Sequence, residues 1–458
     1  MTGSDFLRLQ PSTAPARGRT AWLTAQLRTA ISDGTLGAGT RVPPSRELAE
    51  ELAFSRGVVV EAYRRLTEEG LLVTNRGAGT RIAEVVTRPV PSPRASDTPD
   101  PTLVLHLSEG VPDLSAFPRS AWLQAERRVL ATATSRELGY ADPQGAPELR
   151  KQLSGWLARS RGVSVAPERI IVTAGVTGAL SLIAQVMRAH GVSTCAIEDP
   201  GADGNRRILA YWLDRLEPVP VDGEGIDVAA LAATDARAVL TTPAHQFPTG
   251  AVLSAARRRD LVAWAEQRDG IIIEDDYDSE YRYDRTPVAA LHSAAPDRIL
   301  HVSSLSKVLA PALRIGWLVA PDAWHADLVR TRWATDLGSP ALPQLALADL
   351  IRSGALERQI RRLRRRHRER RDAAVAAVRE HLPRARIEGI AAGLHLLVLL
   401  PDHVDDAALA ERAAAAGIHI TPLSAYRSTP GAPGLVIGYG PHSEARLASA
   451  IATIGRLL

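Results

Sequence analysis

Two lysines occur in a chain otherwise served by arginine, and one of them, Lys307, stands where an amine can do chemistry. It follows the apolar run 299–303 (ILHVS) in the string SSLSKVLAPALR, whereas Lys151 lies in a plain amphipathic helical pattern. Burial tunes a lysine amine into a nucleophile that captures an aldehyde, which arginine cannot do. Asp275 closes the apolar run IIIE at 271–274, so it projects from the C-terminal end of a predicted strand, where open α/β sheets bind ligands. A carboxylate there can pair with a protonated ring nitrogen. Gly175 lies between a predicted strand and a predicted helix, where free backbone amides cradle a phosphate. An amine, a carboxylate and a phosphate cradle are the parts that a pyridoxal-phosphate site requires.

The elements that must position these residues alternate. Apolar runs at 169–173, 238–242, 271–274 and 299–303 are separated by helical patterns, which predicts a mostly parallel sheet with helices on both faces. A long arginine-rich helix is expected over 356–381, and 382–458 reads as a smaller α+β lobe with strands at 394–400 and 434–438 around a helix at 404–416. Trp122, Trp156, Trp212 and Trp264 fall in helical patterns and read as core. The run Arg361 to Arg371 reads as a solvated helix face in preference to a nucleic-acid arm. Asp275, Asp276 and Asp278 also admit a bland reading as an acidic loop or a metal site, but Lys307 and Arg314 weigh against it, and no metal is expected.

The N-terminal part has a different pattern. Residues 20–33 place Trp22, Leu23, Leu27, Ala30 and Ile31 on one helical face. A second helix is expected from Ser45 through Leu52, capped by Ser45. A third is capped by Ser55 and runs to about Glu69, and a hairpin follows over 71–82. Two helices joined by a tight turn, with a basic wing behind them, suit a major groove: the second helix meets base edges and cations hold phosphates. The candidate contacts are Arg41, Ser45, Arg46, Ser55, Arg56, Tyr63 and Arg64, with Arg76, Gly77, Gly79 and Arg81 at the wing. Pro89, Pro91, Pro93, Pro99 and Pro101 mark a semi-extended linker.

The chain has 458 residues, 45% hydrophobic and 23% charged, the composition of a globular protein. One cysteine, Cys195, cannot form an internal disulfide, and neither a signal segment nor a long apolar run is evident, so a cytoplasmic protein without a membrane role is expected. A net charge of +4 is weak support for nucleic acid by itself.

The strings PSRELA, SRGVVVEAYRRL, EGLL and GAGT make residues 20–82 resemble the GntR-type winged helix-turn-helix. Val58 departs from that pattern, which often has threonine there. The strings GYADPQGAPELR, EDPG, TPAHQFPTG, EDDYDSEYRY and SLSKVLAPALRIGWL make the rest resemble fold type I aminotransferases, and more narrowly the MocR/GabR-type regulators. The resemblance implies an α/β, fold type I transferase body, with a large mostly parallel-sheet domain and a small α+β C-terminal lobe. The domains would be a winged helix-turn-helix at 16–83, a linker at 84–104 and a pyridoxal-phosphate-binding body at 105–458, whose small lobe takes in about 356–458.

By position, the resemblance makes Lys307 the Schiff-base (internal aldimine) residue and Asp275 the partner of the pyridine nitrogen. Tyr277 would bond the ring's phenolic oxygen, with His245 beside it. Ser304, Arg314, the amides of Gly175 and Val176, and Thr177 would hold the phosphate. Tyr140 would approach from a partner subunit in a head-to-tail homodimer, and Arg206 and Arg427 are candidates for an effector carboxylate. Ala202 follows EDPG where an aromatic residue is usual, Ala174 and Val176 replace phosphate-loop hydroxyls, and GLVIGYG lacks the carboxylate-binding arginine of working aminotransferases. The expected function is a regulator that binds a double-stranded DNA operator and senses pyridoxal phosphate or an amino compound, with residual or half-transamination chemistry left open. The alternatives are an aminotransferase with an accessory DNA domain and a regulator with a vestigial site.

Overall fold

The computed structural model describes residues 14–15, 18–32, 35–75, 79–83, 105–283 and 288–458; the chain divides into two compact units, Met1–Thr98 and Pro99–Leu458. Arg76, Gly77 and the linker at 84–104 lie outside the described residues.

In the first unit, α1 (Arg19–Ser32), α2 (Ser45–Glu51) and α3 (Arg56–Glu68) precede an antiparallel hairpin of β1 (Leu72–Asn75) and β2 (Gly79–Ile82). Leu23, Leu27, Leu48, Val59, Leu66, Leu72 and Ile82 meet in one core, each contributing about 1.5–3 kcal/mol by burial. Trp22 and Ile31 pack at its margin. The segment before α2 pairs with the hairpin: Val42 N–H donates to Thr80 O at 3.0 Å and Ile82 N–H to Thr40 O at 2.9 Å. The expected caps differ. Ser45 is already inside α2, because Pro44 takes the N-cap position in an extended conformation. Ser55 does hold the N-cap of α3, but its hydroxyl bonds no helix amide.

The second unit is built on an eight-stranded sheet. Its order is Ile170–Thr173, Gly316–Val319, Ile299–Ser304, Ile271–Asp276, Ala238–Thr241, Thr194–Asp199, Arg215–Asp222 and Gly225–Ile226. The five strands from Ile299–Ser304 to Arg215–Asp222 are parallel, and the flanking pairings are antiparallel. All four expected runs lie in this sheet. The strand Ile271–Asp276 is buried throughout, yet it ends in three consecutive carboxylates. Burying a charge is costly unless it is paired. Glu274 accepts from the amides of Leu291 (2.6 Å) and His292 (2.9 Å) and faces His301 at 3.1 Å. Asp276 takes a two-pronged bond from Arg161 at 2.6 and 2.9 Å. Asp275, between them, is left for the site.

The small lobe has a sheet of Arg386–Glu388, His395–Leu399, Gly434–Gly438 and Thr421–Pro422 against the helices Asp406–Ala415 and Glu444–Leu457. The long helix Ala355–His381 joins it to the large domain, and its arginines are not simply a solvated face. Arg364 donates to Glu280 O at 2.8 Å, and Arg366 and Arg370 both reach Asp113, at 3.0 and 2.9 Å. Trp122, Trp156 and Trp264 are core; Trp212 packs at the core's margin.

A tight backbone crossing lies at the start of the helix Gly175–Ala189. A methyl group on Gly316 would stand 2.8 Å from both Gly175 Cα and Ser303 O. Gly316→Ala is expected to lower the stability of the body by about 1–3 kcal/mol through overpacking. Chemical denaturation monitored by tryptophan fluorescence measures this.

Candidate functional site

A cavity of about 410 Å³ opens at the C-terminal ends of the central strands, and Lys307, Asp275, Tyr277, Ser304, Thr177 and Arg314 all line it. Asp275 reaches it from Ile271–Asp276, Ser304 from Ile299–Ser304, and Lys307 from the turn that follows. The helix Gly175–Ala189 begins at the same place with no side-chain cap, and Val176 lines the cavity beside Thr177. Its first amides have no intrahelical partner and its dipole favours an anion. Gly175 has φ +77°, and a methyl there would stand 3.3 Å from the Arg314 guanidinium. Arg314 itself has φ +51°, a conformation that costs a non-glycine residue of order 1–3 kcal/mol. It donates to Ala174 O, which fixes the guanidinium across the helix start.

Lys307 is packed against Gly110, where an added methyl would stand 2.8 Å from Nζ. Burial pushes its ammonium below the ordinary lysine range, against the opposing charges of Asp275, Asp278 and Glu109. Asp275 is 5% exposed. Burial raises its carboxyl to about 7, the hydrogen bond from Asn205 lowers it and the charge of Asp276 adds to the rise. Asn205 Nδ2 donates to one oxygen at 2.8 Å, while the other, Oδ1, is buried without any partner. Asn205, in the first turn of Asp203–Trp212, carries no signal in the sequence: nothing in the string DGN announces a partner for Asp275.

Tyr277 lines the cavity, and burial holds its phenol well above the ordinary value. His245 is beside it but not in the cavity. Its Nδ1 lies 3.0 Å from Tyr277 Oη and 2.9 Å from Asp278 Oδ2, with Gly393 packed on the pair, so it supports Tyr277 from behind. The two arginines expected to meet an effector carboxylate do not reach the cavity. Arg206 is spent on Tyr426 O at 2.9 Å and Asp199 at 3.6 Å, and Arg427 on Ala432 O at 2.9 Å. Tyr140 is 94% exposed and touches nothing in its own chain's cavity. Ala202 lines the wall where the sequence raised the question of a missing aromatic ring, and Phe247 and Tyr426 also line the cavity. Among the described residues, no cluster of three or more His, Cys, Asp or Glu side chains is arranged to hold a metal.

In the first unit, Ser55 and Arg56 are exposed at the start of α3, with Arg46 exposed on α2 and Arg41 and Arg81 on the neighbouring hairpin face. Arg46 has only a loose pair with Glu50 at 3.4 Å. Arg81 donates to Gly39 O at 3.0 Å, and the Arg41 guanidinium lies over Gly79. Two expected contacts are placed otherwise. Tyr63 is 8% exposed and its hydroxyl donates to Pro43 O at 2.9 Å, so it braces the entry to α2. Arg64 is held by Glu61 and Glu68 along its own helix, which leaves little net charge for a phosphate.

Residues 102–454 match the family Aminotransferase class I and II, and residues 21–82 match the bacterial regulatory proteins of the gntR family. The HTH-type pyridoxine biosynthesis transcriptional regulator PdxR of Corynebacterium glutamicum is 38% identical over 451 residues, 97% of this chain and 96% of that one. The chain belongs to this family of HTH-type regulators with an aminotransferase body. The probable rhizopine catabolism regulatory protein MocR of Rhizobium meliloti is 32% identical, covering 90% of this chain and 88% of that one. An archaeal alanine:glyoxylate aminotransferase superposes with a TM-score of 0.71 at 26% identity, over 77% of this chain and 90% of that structure. The protein is thus a DNA-binding transcriptional regulator whose body has the fold of pyridoxal-phosphate enzymes. The cavity fits that cofactor: the orphaned Asp275 Oδ1 needs a cationic donor, and the uncapped helix start with Arg314 needs an anion.

Two measurements follow from this geometry. A carboxyl raised in the folded state costs stability as pH climbs from its unfolded value near 4, and the whole cost is present above its folded value of about 7. Asp275→Asn should therefore stabilise the cofactor-free protein at pH 8 by about 2–4 kcal/mol, with little change near pH 4. Denaturation at the two pH values reads the difference. In the DNA reader, Arg56→Ala should weaken operator binding by about 1–3 kcal/mol. Tyr63→Phe should instead lower stability by about 0.5–1.5 kcal/mol and leave operator preference unchanged. Fluorescence anisotropy with labelled duplexes separates the two.

Proposed function

We propose that this regulator reports pyridoxal phosphate through Lys307, with the occupied body altering how the DNA readers are presented. The observation that carries this reading is the convergence of Lys307, Asp275 and Arg314 on one cavity. Lys307 would hold the cofactor through its amine, Asp275 its ring nitrogen and Tyr277 its phenolic oxygen. Ser304, Arg314, Thr177 and the first amides of Gly175–Ala189 would hold its phosphate. When bound, the cofactor supplies an aldehyde carbon that amines attack and a ring that withdraws electrons.

Pyridoxal phosphate itself is a better-supported signal than an amino acid. Among the described residues lining the cavity, the cations are Lys307 and Arg314, and the cofactor engages both. Arg206 and Arg427 are committed elsewhere, and the strand Gly434–Gly438 brings no arginine. The same lack argues against an aminotransferase that turns over. The relative named for regulating pyridoxine biosynthesis agrees with cofactor sensing. Tyr140, exposed on its own chain, would complete the cavity of a partner subunit in a head-to-tail dimer. Residues 84–104 would tether each reader, and paired readers would require two half-sites.

The test is the visible absorption spectrum of the purified chain titrated with pyridoxal phosphate. The parent should gain a visible band, and Lys307→Ala should gain none. A parent without a band would contradict the proposal and leave a DNA-binding protein with a disused cofactor fold.

A further inference from the structure

The charge that remains in the cavity, once the cofactor's three needs are met, is negative. Glu109 lines the cavity on the strap that crosses Lys307, next to Gly110. Its carboxylate accepts hydrogen bonds from both Tyr426 Oη and Thr421 Oγ1, the latter at 3.2 Å. The two hydroxyl donors fix the orientation of the carboxylate. Of the other two acidic residues in the wall, Asp203 is matched by Arg207 at 2.7 Å, and Asp275 would face the ring nitrogen. Glu109 therefore stands on the Lys307 side, where the substituents of an incoming amine would lie, and the cation it faces is the Lys307 amine itself. Arg314, the guanidinium among the described lining residues, is turned to Ala174 O at the helix start.

Resting on the cofactor reading above, we infer that Glu109 is a specificity determinant: it bars amines that carry a carboxylate and admits those that do not. A regulator that reports pyridoxal phosphate gains from such a filter, because abundant α-amino acids then do not compete with Lys307 for the cofactor. Like charges held a few ångströms apart near a protein surface discriminate by roughly 100-fold. Tyr426 and Thr421 are positioning residues for the carboxylate. Burial first, and then the charge of Glu109, raises the Tyr426 phenol, which keeps it a donor.

The experiment compares two stable conjugates on the full chain freed of cofactor, by calorimetry. One is N-(5'-phosphopyridoxyl)-L-leucine; the other is its counterpart made from 3-methylbutylamine, identical but for the carboxylate. The parent should bind the carboxylate-free conjugate about 100-fold more tightly, and Glu109→Gln, which keeps the shape and a hydrogen-bonding oxygen, should reduce that ratio to below about tenfold. Equal affinities in the parent, or a preference for the leucine conjugate, would overturn the inference without a variant being made. A preference that survives in Glu109→Gln would overturn the assignment to Glu109. If neither conjugate nor pyridoxal phosphate binds, the cofactor reading fails and the filter fails with it.

Discussion

The structure depends on a buried carboxylate that lacks a full set of partners. Asp275 sits at the end of a strand that is solvent-excluded on both faces, with one oxygen bonded to Asn205 and the other to nothing. A protein interior rarely tolerates such an atom. In the reading proposed here it would be the mate of a protonated ring nitrogen, and the cost of keeping it would become differential affinity for a cofactor that supplies one. The neighbours make the arrangement sustainable. Glu274 is held by two amides and His301, and Asp276 by Arg161, so the strand carries three adjacent carboxyl groups with only the middle one unsatisfied.

The other parts of the site are placed by the same sheet. Parallel strands deliver Asp275 and Ser304 to one edge, and the crossover helix Gly175–Ala189 brings its free amides there. The close crossing of Gly175 and Gly316 lets Arg314 lie across the helix start. A cavity with these features would hold a phosphorylated, cationic ring by geometry that exists before the ligand arrives, and that ring would offset the cost of burying Asp275.

Much of this was legible in the sequence because the residues concerned are constrained by strand ends and by scarcity. Lys307 stood out as one of two lysines, Asp275 closed an apolar run, and Gly175 fell between a strand and a helix. What could not be read depended on contacts between distant segments. Asn205 meets Asp275 across seventy positions of chain. His245 matched a motif, but its ring is turned behind Tyr277 toward Asp278. Arg206 and Arg427 had the right charge, yet nearby carbonyls hold them away from the cavity. Tyr63 looked like a groove contact because helix periodicity alone does not show that its hydroxyl reaches Pro43. The arginine run in Ala355–His381 suggested solvent or nucleic acid; Arg361, Arg362 and Arg365 are exposed, while Asp113 engages Arg366 and Arg370 and a backbone carbonyl engages Arg364.

A regulator requires that occupancy of the body changes the readers' affinity for DNA, and a ligand shifts an equilibrium only by its differential affinity for the two states. The most direct measurement is the affinity of the full chain for an operator duplex selected from a random pool, with and without pyridoxal phosphate, in the parent and in Lys307→Ala. The account predicts a change of about 5–150-fold on adding the cofactor, the span of ordinary allosteric coupling, and no change in the variant. Equal operator affinity with and without the cofactor in the parent, under conditions where its visible band shows the site filled, would contradict it.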